Sequence, residues 1–106
     1  MAASAGTTPA NPFVAVSPGQ YRLEAPLTFQ TVAALRTPGL AIIEGNMQGL
    51  ILDLQKVPAV DSAGLALLID WLAEARSRSC ALRYSQLPPT LISLARLSNV
   101  EKLIQS

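Results

Sequence analysis

Two carboxylates and a hydroxyl lie close together in mid-chain: Asp53, Asp61 and Ser62, within the run LDLQKVPAVDSAGL from Leu52 to Leu65. The chain has no histidine and a single cysteine, Cys80. Ser-His-Asp and Cys-His arrangements are therefore excluded, as are zinc sites built on Cys and His. A paired-carboxylate site of Asp53 and Asp61 would need a pocket and a substrate handle, and the sequence shows neither. Asp53 reads better as a carboxylate near the C-terminal end of a strand, bonded to loop N–H groups. Ser62 stands where a loop enters a helix. A hydroxyl there accepts a hydrogen bond from a free backbone N–H, so Ser62 is expected to be the N-cap. The same place lies in the positive end of the helix dipole, where a phosphate is stabilised and Asp61 would repel it. A phosphate adds about −1.5 to −2 charges, enough to eject a partner docked on the loop. Cap and switch are compatible roles. Gly64, a poor residue for a helix interior, reads as a close backbone approach in the first turn.

The elements that position these residues can be read from periodicity. Residues 1–12 are small, polar and Pro-containing, as expected of a flexible tail, and a single domain spans 13–106. Phe13–Val16, the turn Ser17-Pro18-Gly19 and the alternating Tyr21–Ala25 read as a β-hairpin. Thr28 is placed to cap a helix through Phe29, Val32, Ala33 and Leu35, which Pro38-Gly39 interrupts. Leu40–Glu44 adds a further turn, either as a continued, kinked helix or as a second short one. Leu50–Leu54 reads as a central strand buried on both faces. Lys56–Asp61 is a loop. Ala63 to about Arg78 is the clearest helix, with Leu65, Leu68, Ile69, Leu72 and Arg76 on one stripe. Ala81–Tyr84 is a strand, Pro89–Leu97 a helix with proline in its first turn, and Val100–Ile104 a last turn or short strand. Strand, helix, strand, helix in the second half implies α/β with a parallel crossover, and the hairpin makes the sheet mixed.

Leu67 and Trp71 lie off the main stripe, as an i, i+4 pair alongside Glu74 and Arg78. Either the helix is wedged between the sheet and a second helix, which buries both sides, or the pair is an exposed anchor for a partner.

Composition narrows the function. Of 106 residues, 50% are apolar and 14% charged, which suits one compact core rather than a disordered chain. A net charge of +1, with eight scattered Lys and Arg residues, argues against a nucleic-acid footprint. Two Phe, two Tyr and one Trp argue against a base-stacking platform. A lone cysteine fits a reducing compartment. No apolar run reaches the roughly 20 residues that span a bilayer, and MAASAGTTPANPF lacks the basic and apolar regions of a secretory signal. A cytosolic protein with no cofactor and no direct membrane insertion is expected.

The run LDLQKVPAVDSAGLALLIDWLAEAR resembles the signature of STAS domains, named for sulfate transporters and anti-sigma factor antagonists. The family pattern is an apolar strand ending in Asp-Leu, a short loop with an apolar residue, then Asp-Ser or Asp-Thr, a small residue and Gly-Leu. It is met here by Asp53-Leu54, Val57, Val60, Asp61-Ser62, Ala63 and Gly64-Leu65. Weaker similarity covers Leu23–Thr28, with Ala25 where the family usually has Gly, and Leu87–Ile104. Within the family the chain is most similar to MlaB-like proteins, cytoplasmic STAS subunits of bacterial ABC complexes that move phospholipids between the inner and outer membranes. It departs from them at Pro38-Gly39, at Ser79-Cys80, which replaces a frequent Gly, and at Ser62, where some have Thr.

The resemblance implies an α/β STAS fold with a mixed sheet of four to five strands. It implies a non-catalytic accessory subunit that binds and regulates an ABC-type ATPase, and through it meets an inner-membrane permease. The expected contact residues are Pro58, Val60, Asp61, Ser62, Leu67 and Trp71, with Asp53 and Gly64 as structural support. The alternative is a stand-alone anti-sigma factor antagonist phosphorylated on Ser62 by a partner kinase. A third class, an enzyme, is disfavoured by the missing histidine and metal ligands.

Overall fold

The computed structural model describes residues 11–105. Residues 1–10 of the expected tail lie outside that range. Asn11 and Pro12 are already tied to the hairpin: Asn11 Oδ1 accepts from the Phe13 N–H at 3.0 Å, and the Pro12 carbonyl from the Glu24 N–H at 2.8 Å.

Four strands form one sheet: β1 (Phe13–Ser17), β2 (Gln20–Leu23), β3 (Leu50–Asp53) and β4 (Leu82–Ser85). Their spatial order is β1-β2-β3-β4. The β1–β2 pair is antiparallel, while β2–β3 and β3–β4 are parallel. The sheet is therefore mixed, as the hairpin plus crossover pattern requires. The crossovers contain α1 (Val32–Gly45) and α2 (Ser62–Ser77), and α3 (Pro89–Leu97) and α4 (Glu101–Gln105) follow β4. Right-handed crossovers that add each strand on the same side place α1 and α2 on one face of the sheet. The burial pattern agrees. Tyr21, Leu52 and Tyr84 lie in register across three strands, and Leu52 and Tyr84 are buried. The next row, Arg22, Asp53 and Ser85, is only half-buried. β3 is thus buried on one face, not two: Leu50 and Leu52 face the helices, while Ile51 and Asp53 face outward.

Pro38-Gly39 does not end the first helix; α1 continues through it to Gly45. The helix begins later than expected, because the Thr28 carbonyl accepts from the N–H groups of Thr31 and Val32 in a turn that precedes it. Phe29 consequently falls outside the helix and is 71% exposed. The last expected element, at Val100–Ile104, is the short helix α4.

The buried side of α2 carries Gly64, Leu65, Leu67, Leu68, Trp71 and Ala75. Of the expected stripe, Ile69 and Leu72 are only half-buried and Arg76 is exposed. At 100° per residue the buried arc lies roughly 80° away from the stripe read off the sequence. The cause is a second neighbour. Trp71 is 1% exposed, meets Phe13 edge-on with ring centroids 5.8 Å apart, and donates from Nε1 to the Arg36 carbonyl at 3.2 Å. It also packs closely against Gly39: a Cβ added there would sit 2.3 Å from Trp71 Cζ2. Arg36 crosses the rim of this contact to Asp70 at 2.9 Å and Glu74 at 3.5 Å, and Arg78 reaches Glu44 at 3.2 Å. Leu67 and Trp71 are therefore core residues between α2, α1 and the sheet, not an exposed anchor.

Candidate docking site

The start of α2 is stitched to two loops. Asp53 ends β3 with Oδ1 accepting from the Gln55 N–H at 2.8 Å, the loop-capping role read from the sequence. The chain then dips so that Val57 and Val60 are buried while Pro58 and Ala59 face solvent. Val60 bridges Leu27 in a parallel pair. The Leu27 N–H donates to the Ala59 carbonyl at 2.8 Å, and the Asp61 N–H donates to the Leu27 carbonyl at 3.1 Å. Val60, expected to contact a partner, is thus spent on the core and holds the loop in place.

Gly64 explains how closely these segments pack. A Cβ at this position would lie 1.9 Å from the Leu27 carbonyl oxygen, so only glycine admits the backbone there. This is the close approach expected of it.

The cap is Asp61, not Ser62. Asp61 has extended backbone angles, φ −125° and ψ −172°, and its Oδ1 accepts from the Gly64 N–H at 3.0 Å. Its Oδ2 accepts from the Phe29 N–H at 3.1 Å, thirty-two residues away in sequence. A carboxylate has two oxygens and can brace the helix and the neighbouring turn together, which a single hydroxyl cannot do. The Phe29 and Gly64 N–H groups, with a smaller part from Ala63, hold the Asp61 carboxyl below the usual carboxylate range against some desolvation. Ser62 becomes the first helical residue. It is exposed, and its hydroxyl has no hydrogen-bond partner among the described residues.

The structure therefore brings Pro58, Asp61 and Ser62 to one surface and withdraws Val60, Leu67 and Trp71 from it. It adds Phe29, which the sequence pattern places inside the helix capped by Thr28. The available signal was its setting: a lone aromatic among Thr28, Gln30 and Thr31, just before the true helix start.

At the other end of α2 lies an open groove of about 670 Å³, lined by Ile69, Leu72, Arg76, Cys80, Leu82 and Leu103 among others. Cys80 is buried, which pushes its thiol up, and its Sγ lies 3.3 Å from the Asn46 carbonyl oxygen. Among the described residues no group of His, Cys, Asp and Glu could hold a metal ion, and no helix is long and apolar enough to cross a membrane.

A family model described as Mlab, STAS domain, matches residues 16–105. The chain belongs to the STAS domain family. Among solved structures it is similar to a Thermotoga maritima protein described as a candidate anti-sigma factor antagonist, with 13% identity over 89% of this chain and 82% of the other and a TM-score of 0.72. It is also similar to a sulfate transporter family protein from Wolinella succinogenes, with 21% identity, coverage of 86% and 74%, and a TM-score of 0.65. The Bacillus cell fate determinant SpoIIAA in its phosphorylated form aligns with 18% identity, coverage of 89% and 86%, and a TM-score of 0.64. At these identities the likeness concerns the fold. No curated protein sequence matches significantly.

Proposed function

We propose that this STAS domain is a non-catalytic accessory subunit that docks, through the start of α2, on the ATPase subunit of a bacterial phospholipid-transport ABC complex and regulates it. On this reading the protein is cytoplasmic and peripheral to the inner membrane, meeting the permease only through the ATPase. The observation that carries the reading is Ser62: an exposed serine with an unused hydroxyl, on a helix start braced by Asp61, in a chain matched over residues 16–105 by a model described as Mlab. Side chains fixed in advance lose little conformational entropy on binding, so a small rigid surface can suffice. The domain's remaining carboxylates support structure or surface ion pairs rather than a reaction, as the Asp53 and Asp61 hydrogen bonds illustrate.

Co-purification with the ATPase tests the reading. Wild-type protein is expected to form the complex, and Ser62→Glu to lose it by placing a second carboxylate beside Asp61. Undiminished complex formation by Ser62→Glu sinks the proposal. The free Ser62 hydroxyl also favours a second reading, an anti-sigma factor antagonist switched by phosphate. Against it, Asp61 already occupies the Gly64 N–H that a phosphate would seek. Intact mass of the protein from its native host separates the two: the ATPase reading expects no added phosphate.

A further inference from the structure

Among the exposed large apolar side chains of the described residues, Phe29 is the only aromatic one. Its turn is unusually well braced. The Thr31 hydroxyl donates to the Pro26 carbonyl at 2.7 Å, and its oxygen accepts from the Thr28 N–H at 3.0 Å. The Phe29 N–H itself is held by Asp61 at 3.1 Å. One bond of the set comes from across the fold, and it comes from the residue that caps α2 next to Ser62.

A phenyl ring left 71% exposed gains little of the stabilisation that burial would give it. A ring on a frayed turn would be ordinary, since single exposed apolar residues are common. Here the turn is fixed from both sides by side-chain bonds, so the ring's backbone is set before any partner arrives. Aromatic side chains on preorganised backbone bind with little ordering cost and are typical interface anchors. The other exposed apolar residues differ. Val16 lies on the edge strand β1, Met47 in a loop, Leu97 at the end of α3, and Leu103 on α4, where it lines the groove at the far end of α2.

We infer that Phe29 is the apolar anchor of the surface that Ser62 shares, inserting into an apolar pocket on the same protein partner. Asp61 is the positioning residue that fixes the spacing between the ring and the hydroxyl. This rests on the ATPase reading above and extends it, since neither the motif nor the family match points to residue 29. The partner surface must then offer an apolar pocket next to a polar group that meets Ser62, and no basic cluster is needed, because both Asp61 oxygens are already bonded.

Titration calorimetry of the full chain with the purified ATPase subunit tests the inference. Phe29→Ala is expected to weaken binding by about 30-fold or more, the range of an interface hot spot, and Phe29→Leu by less. Thermal melting of Phe29→Ala should stay within about 3 °C of wild type, as for other surface substitutions. If wild type binds and Phe29→Ala binds within about threefold of it, the inference falls while the proposed function stands. If wild type does not bind, the proposed function falls and takes the inference with it. A larger drop in melting temperature means that the ring serves the fold and overturns the inference. So does sedimentation showing a wild-type dimer that Phe29→Ala dissolves, because the occupant would then be a second copy of this chain.

Discussion

Two glycines let close contacts form around α2, and the contacts are built in opposite ways. At Gly39 the neighbour is a side chain, the ring of Trp71. At Gly64 the neighbour is main chain, the carbonyl of Leu27. The first contact is packing: a large aromatic fills the space between α1, the sheet and Phe13. The second is hydrogen-bonded: Leu27, Ala59, Asp61 and Phe29 are joined by backbone and carboxylate bonds that leave little room for relaxation. On the proposed function, the difference separates stability from recognition along one helix. The middle of α2 holds the fold together by burial, and its start, with the turn at Phe29 that Asp61 braces, presents polar and aromatic groups to solvent.

The largest effect should come from the packed middle. Trp71→Ala is expected to destabilise the domain by about 3–5 kcal/mol, read by urea denaturation, because it removes a fully buried aromatic. A loss below about 1 kcal/mol, together with weakened partner binding, would restore Trp71 as a surface anchor and collapse the contrast. Gly64→Ala comes next, at about 3 kcal/mol, since overpacking against main chain has few ways to relax. Gly39→Ala should cost less, about 1–2 kcal/mol, because the ring of Trp71 can shift and alanine favours the helix. Equal losses at the two glycines would show that side-chain and main-chain contacts do not differ as described.

Asp61 sharpens the contrast through pH. Its carboxyl is lowered in the folded state by the Phe29 and Gly64 N–H groups. Its stabilising contribution is therefore complete above the ordinary carboxylate pKa and is lost as the pH falls through the lowered folded value. Denaturation midpoints of wild type and Asp61→Asn should differ at neutral pH and converge in acid, where the wild-type carboxyl is protonated; a constant gap at all pH values would contradict this. The smallest expected change in stability is that of Ser62→Ala, within about 0.5 kcal/mol, since the hydroxyl caps nothing. A cost near that of a lost N-cap, about 1 kcal/mol, would return the capping role to Ser62.

Much of the fold was legible because its signals are local. The Tyr21–Ala25 alternation, the Leu50–Leu54 run and the helix expected from Ala63 each follow from spacing, and the structure places the corresponding elements at Gln20–Leu23, Leu50–Asp53 and Ser62–Ser77. The supporting roles of Asp53 and Gly64 were legible for the same reason: a strand-end carboxylate and a helix-start glycine are constrained by their immediate neighbours. Local pattern assigns capping to Ser62 rather than to Asp61, because both are good caps and only the distant Phe29 N–H favours the residue with two oxygens. Periodicity places the main stripe of α2 off the buried arc and leaves open the choice between a wedged and an exposed Leu67 and Trp71, because it reports that a helix is amphipathic, not which neighbour each side meets. Pro38-Gly39 leaves a continued helix and two short ones equally open in the sequence, because proline and glycine disfavour helices locally, whereas burial of Trp71 against Gly39 rewards the helix for continuing.

The sequence by itself therefore determined the family and the mixed α/β topology, since these depend on residue types at short spacing. The tertiary structure alone decided that Asp61 caps and braces, that Leu67 and Trp71 are core, and that Phe29 faces solvent beside Ser62. Each of those outcomes depends on residues about thirty positions apart in the chain meeting in space, and such meetings are set by packing and long-range hydrogen bonds that local pattern does not encode.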